Sequence, residues 1–336
     1  MRNDVDKNDE VENRVAEVRN AWIKSNNEKK IKQCLYPDHS NCSGKIIKAH
    51  AIQNNGVLSQ IAVDGDVYMP KARTTDPFKI FTKYGKKQAT TFSGFCGYHD
   101  VTLFKPIEKD KFSKTSEEIF LYTYRTLTSQ LHTKSEAVKQ QDIIGHMLTH
   151  YDMDLKNTYG QGENDLYYDK CILDKYILDG KKNGGNSPVK SIVWKFEENI
   201  DFAGSCYFSP DFGFDGKKVQ DITGSKIAHI YVNAFPDNGI SYCIISWLED
   251  FHEILEKYVQ KLKELSLSEE KNYLNHILVM NTDNLVLSPR LIERFSKAEE
   301  NNFGMMSQGM SLLESMFTED RSASNYFGDA GYSLFN

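Results

Sequence analysis

The chain lacks any uninterrupted apolar run near the eighteen or so residues that a membrane helix requires. Its first residues, MRNDVDKNDEVENR, are charged where a secretory leader would be apolar. These two absences lead us to expect a cytoplasmic protein with no membrane partner. Glycine-rich phosphate loops and dinucleotide fingerprints are also missing, which argues against an ATPase or a dehydrogenase. There is no GxSxG elbow either, so a Ser/His/Asp triad drawn through His229 has nothing to position its serine. Cysteine is sparse, at six residues. In a reducing compartment these are thiols or metal ligands rather than disulfides. Cys171, Cys206 and Cys243 stand singly in apolar surroundings and read as small buried hydrophobes. Cys34, Cys42 and Cys96 need another explanation.

The 336 residues are 40% hydrophobic and 12% aromatic, enough apolar surface for sizeable cores and too much for a disordered chain. The net charge is −6, unevenly spread. Between Lys24 and Lys114 there are 16 Lys and Arg against 8 Asp and Glu, so this stretch alone carries a surplus of positive charge. It is also the stretch that holds the three unexplained cysteines, and a positive module on an acidic chain suits a polyanion.

Apolar periodicity predicts a lead-in helix over residues 8–32, with Val11, Val15, Val18, Trp22 and Ile23 on one face. GKIIKAHAIQ and GDVYMP read as short strands, and KARTTDPFKIFTKYGKKQATTF as a basic, aromatic loop. A mostly helical section follows over 115–182, opened by Thr115 or Ser116 as cap and closed at Gly180. The linker KKNGGNSP marks a boundary. Beyond it, SIVWKFEE, GSCYFSPDF, KIAHIYVNAFP and SYCIISWL read as an antiparallel sheet of about four strands, with Phe235 and Trp247 in its core. Two helices, EDFHEILEKYVQKLKEL and SEEKNYLNHILVM, come next. The expected fold class is α+β. The expected division is a zinc-binding module with its lead-in helix over 1–114, a helical connector over 115–182, a recognition or regulatory domain over 188–302, and a flexible tail over 303–336.

Zinc takes four tetrahedral sulfur or nitrogen ligands, commonly as two close pairs aimed at one point by turns. Cys96 and His99 form one such pair, at CxxH spacing on a glycine-containing turn. Cys34 and Cys42, with seven residues between them, form the other, with His39 in that gap as a reserve ligand. This arrangement resembles the treble clef, and within it the zinc-containing HNH endonucleases, over residues 30–110. KAHAIQ resembles the histidine-bearing strand of that family and FCGYHD its second ligand pair. The resemblance implies a structural zinc, with His50 as general base and Asp100 as ligand to a catalytic Mg²⁺ or Mn²⁺. Glu108 could add a ligand if Pro106 turns the chain back.

Ala49 stands where many members of that family carry an acidic residue, and the family's middle asparagine has only Thr91 and Ser93 nearby. Lys83, Lys86 and Lys87 of KYGKKQ are the expected phosphate contacts. The expected function is therefore metal-dependent cleavage of nucleic acid, DNA more than RNA. By analogy of build, such a chain would serve as a phage-defence effector. The competing reading is a non-catalytic zinc-binding adaptor that holds a protein partner through its C-terminal domain.

Overall fold

The computed structural model describes residues 16–17, 20–21, 23–70, 80–109, 111–147, 160–180, 185–224, 226–281, 284–308 and 326–335. Much of the lead-in helix, residues 71–79 of the basic loop, and residues 181–184 of the linker therefore lie outside the described residues. What is described of the lead-in is helical to Glu28, and the chain has no regular secondary structure from there to Cys34.

Two sheets organise the fold. The small one pairs β1 (Ile46–His50) with β4 (Thr91–Cys96), antiparallel, and β4 runs directly into α1 (Gly97–Phe104). The large one has seven strands. Its order is β3 (Thr82–Gly85), β2 (Asp66–Met69), β9 (Asn284–Leu287), β6 (Phe202–Phe208), β7 (Ile230–Asp237), β8 (Ile240–Leu248) and β5 (Val189–Phe196). Every pairing is antiparallel. The four strands expected after the linker are β5 to β8. The other three were not foreseen as part of this sheet. In particular, β2 and β3 lie early in the chain yet join the late strands through β9, at the pair Tyr68 and Leu287.

Helices cover both faces of the large sheet. On one side lie α2 (Ser116–Met147) and α3 (Gly160–Lys175). Thr115 and Glu118 close the start of α2 reciprocally: the Thr115 hydroxyl accepts from the Glu118 amide at 3.2 Å, and the Glu118 carboxylate accepts from the Thr115 amide at 2.9 Å. The helix meets the sheet through a buried polar seam. Thr126 donates to Asn233 at 2.8 Å and lies 3.0 Å from Ser205 Oγ, while the hydroxyls of Thr123 and Ser246 lie 2.7 Å apart. Buried polar groups of this kind must be paired, and pairing fixes how the helix registers on the strands. After α3 a wider helical turn carries the chain to Gly180, where the sequence placed the stop.

On the opposite face lie α4 (His252–Lys263) and α5 (Leu267–Met280). Trp194 of β5 meets Tyr273 of α5 edge-on at 5.9 Å. Leu278 of α5 packs close over Gly204 of β6, where a Cβ would come within 2.8 Å of its Cδ2 and force that side chain to shift. The short α6 (Pro289–Arg294) and α7 (Lys297–Ser307) follow β9.

Of the flexible tail expected over 303–336, residues 309–325 and 336 lie outside the described residues, and the described parts pack against the core. Phe303, Tyr332, Leu334 and Phe335 are buried in the main core. Asn275 of α5 holds this segment, accepting from the Tyr332 hydroxyl at 2.7 Å and from the Leu334 amide at 2.9 Å. Cys171 also differs from expectation: it is exposed on α3, whereas Cys206 and Cys243 are buried as foreseen. Phe235 and Trp247 are core residues. Among the described residues, no helix is long and apolar enough to cross a membrane.

Candidate functional site

The cysteine site is assembled by three local devices. Residues 33–35 run beside β4, with the amides of Gln33 and Leu35 donating to the carbonyls of Ser93 and Gly94 at 3.2 and 2.8 Å, which brings Cys34 to the end of the hairpin. A tight turn donates the Cys42 amide to the His39 carbonyl at 3.1 Å and points Cys42 back. Cys96 caps α1 through its sulfur, which accepts from the His99 amide at 3.5 Å, so Cys96 and His99 share the first turn of that helix.

The three sulfurs each lie 3.4 Å from His99 Nδ1, and all four donor atoms lie within 4.8 Å of one another. Zinc–sulfur and zinc–nitrogen bonds of ordinary length at tetrahedral angles place such atoms about 3.6 Å apart. The donor set therefore fits a zinc ion. Three crowded thiols cannot all ionise on their own. Burial opposes ionisation of Cys96, but amide donors from His99 and Ser43 outweigh it and bring its pKa to about 6. Cys42 is pushed up to about 12 by desolvation and by Cys34 beside it. A bound dication would hold all three as thiolates. Tyr36 stacks on the His99 ring at 4.1 Å and locks its orientation. His39, the reserve ligand, is exposed and stands outside the group.

A second constellation lies at the far end of β1. Ser93 and Gly94 together oppose the single residue Lys48, a bulge that resets the strands so that His50 faces Thr91. Thr91 is thus the nearer of the two residues considered for the missing asparagine. Ala49 is buried and packs in the core. Asp100 is within α1 and is not its cap, a position taken by Cys96. Pro106 does turn the chain, through a one-turn helix at Pro106–Lys109. Glu108 is thereby brought to Arg125 of α2, which donates to it at 2.5 Å. Among the described residues, His50, Asp100 and Glu108 do not converge into a group of three donors able to share an ion. The expected Mg²⁺ or Mn²⁺ therefore has no preassembled ligand set here, because the Glu108 carboxylate is committed to a guanidinium.

The electrostatics link these residues nonetheless. Burial lowers the pKa of His50, offset in part by hydrogen bonding to the backbone at Lys87 and by the charge of Glu108, while Arg125 lowers it further. Burial raises that of Asp100, which Arg125 opposes and Glu108 reinforces. The charges of the same Arg125–Glu108 pair thus bear on both His50 and Asp100. The Nε2 of His50 is buried and has no hydrogen-bond partner, and the same holds for Nε of Arg125. No sequence signal pointed to Arg125, which lies 75 positions beyond His50 on a helix read as a connector.

The lysines divide. Lys83 is paired with Asp66 at 2.7 Å, and Lys86 donates to Ser59 Oγ at 2.7 Å. Lys87 is exposed, with its main chain against His50. On the other side of α1, beside the sulfur site, a cleft of about 310 Å³ is lined by Tyr36, Tyr98 and His99 together with Asp38 and Glu117. Its carboxylates make it a poor place for a phosphate.

A third polar cluster joins α3 to the large sheet. Asp169 accepts from His229 Nδ1 at 2.8 Å and from the Tyr231 hydroxyl at 2.5 Å, all deeply buried. The histidine considered for a serine triad is thus tied to an aspartate that pattern reading did not single out. Comparison of the chain with protein-family models, curated proteins and solved structures finds no match.

Proposed function

We propose that the chain cleaves nucleic-acid phosphodiesters on a zinc-stapled ββα module of the HNH, treble-clef kind. His50 accepts the proton of the attacking nucleophile. The observation that carries this reading is the state of His50. Burial holds its pKa below the ordinary histidine value, which favours the neutral imidazole at pH 7, and its Nε2 has no hydrogen-bond partner.

The strand–strand–helix order of β1, β4 and α1 supports it, since the hairpin and helix carry His50 and Asp100 on elements pinned by the Cys34, Cys42, Cys96 and His99 group. In this reading zinc is structural, holding Cys34, Cys42, Cys96 and His99 in place. The exposed Lys87 and the surplus of positive charge between Lys24 and Lys114 would hold the polyanion.

The test is cleavage of plasmid, single-stranded DNA and RNA by wild type beside His50→Gln, with zinc per chain measured on both. We expect wild type to cut, and the variant to keep its zinc and lose cutting. Equal cutting by both would remove His50 from the chemistry. The second reading, a zinc-binding adaptor, is favoured by the Arg125–Glu108 pair, which takes up a carboxylate that a catalytic metal would need. It predicts no cutting and stoichiometric co-purification of a protein partner.

A further inference from the structure

The cleft beside the sulfur site draws its walls from separate parts of the chain. Tyr36 and Asp38 come from the loop between Cys34 and Cys42, Tyr98 and His99 from the first turn of α1, and Glu117 from the start of α2. Its volume of about 310 Å³ is at the small end for ligand pockets, enough for one long side chain and the backbone that carries it. His99 and Ile177 in its lining are buried, whereas Asp38, Tyr98 and Glu117 are exposed, so the cleft opens to solvent on their side.

The lining selects by charge. Among the described residues that form it there are two carboxylates and no Lys or Arg. A zinc ion held by three thiolates and an imidazole would add net negative charge at His99. An anion is repelled there, and a purely apolar ligand would strip water from the carboxylates without replacing it. Asp38 and Glu117 are not part of a donor group able to share a metal ion, which among the described residues is the sulfur site alone. A cation with a flat face suits the whole lining. Tyrosine rings attract a cation over their faces, and a guanidinium can stack on a ring and fork to a carboxylate at once, which an ammonium cannot.

The rim indicates that this cation arrives on a protein. Tyr98 is 48% exposed, and Val101, one helical turn further along α1 on the same side, is 63% exposed. Together they extend an apolar rim from the cleft, which a bound peptide covers and a small cation leaves in water.

We propose that this cleft receives an arginine side chain of a protein partner, its guanidinium against Tyr36 and Tyr98 and its charge opposite Asp38 and Glu117, while apolar neighbours of that arginine cover Tyr98 and Val101. Such capture does not depend on cleavage, and it puts the partner on the zinc-bearing module rather than on the C-terminal domain. The loop from Cys34 to Cys42 forms one wall, so a metal held by its two ends would preform the cleft before the partner arrives.

The experiment uses the full chain, isotope-labelled and with its zinc content measured, titrated with a capped Gly-Leu-Arg-Leu-Gly peptide while the amide resonances of Tyr36, Tyr98 and Thr102 are followed. The same peptide with citrulline in place of arginine, and acetylarginine amide alone, are the comparison ligands. We expect the arginine peptide to shift those three resonances to saturation with a Kd at or below about 1 mM. The neutral citrulline peptide should bind about 10-fold more weakly, and added salt should weaken the arginine peptide. Asp38→Asn combined with Glu117→Gln keeps the shape of both side chains and should weaken the arginine peptide about 5-fold. The citrulline comparison needs no variant, so it still decides the matter if that double variant fails to fold. Equal binding of the citrulline peptide, shifts confined to other residues, or no shift at about 1 mM peptide overturns the proposal. Acetylarginine amide binding as tightly as the peptide also overturns it, by making a free small cation the occupant.

Discussion

His50 acts as a proton acceptor only when neutral, and burial holds its pKa below the ordinary value near 6.5. Cleavage should therefore rise with pH along an acid limb centred below about pH 6.5. A kcat/KM profile checks this, and a limb centred above that pH would assign the step to another group. Cys96 poses a different question. Cys96→Ser removes one of four donors around His99 Nδ1 and the sulfur cap of α1, so the purified variant should carry well under one zinc per chain and melt at a lower temperature. At Asp169 the argument is one of buried polarity: its carboxylate serves both His229 and Tyr231 at 0% exposure. Asp169→Ala should cost about 3 kcal/mol in denaturant unfolding, the scale of breaking one side of a buried polar pair. Residue identity alone marked Cys34, Cys42, Cys96, His99 and His50, because thiols and imidazoles at turn spacings have few other uses. It left Asp169 and Arg125 unmarked, since a lone aspartate or arginine in a helix is most often a solvated side chain.

At the scale of elements, the hairpin of β1 and β4 depends on one glycine. A Cβ at Gly94 would lie 3.2 Å from Leu35 Cδ1 and would press harder still on the Phe92 ring, at the point where residues 33–35 run alongside β4. Gly94→Val should loosen that contact, free Cys34 and speed zinc loss to a chelator several-fold, read by metal-release kinetics. The helices were legible because their signals are local. The Thr115–Glu118 reciprocal cap and the stop at Gly180 need no partner in space. β9 was not legible: four residues, Asn284–Leu287, buried on both sides between β2 and β6, show neither alternation nor length.

At the scale of the whole molecule, α2 ties the two sheets together. One of its sides carries Thr123 and Thr126 onto the large sheet, and another carries Arg125 onto Phe104 and His132 against Phe92. The end of the chain adds to this unity. Removing residues 326–336 strips Tyr332, Leu334 and Phe335 from the core, each worth about 1.5–3 kcal/mol of burial, so the truncated chain should melt well below the full one. A melting temperature unchanged by truncation would show that this segment contributes nothing. The sequence by itself determined the α+β class, the four late strands and the membership of the sulfur site. Each of these rests on short-range pattern: period, turn chemistry, and ligand pairs a few residues apart. Tertiary structure alone decided that β2 and β3 extend the late sheet, that the last residues are core, and that Arg125 is buried against Phe104 and paired with Glu108. Those contacts join positions tens to hundreds of residues apart, and no local periodicity encodes which distant surface a strand edge or a buried charge will meet.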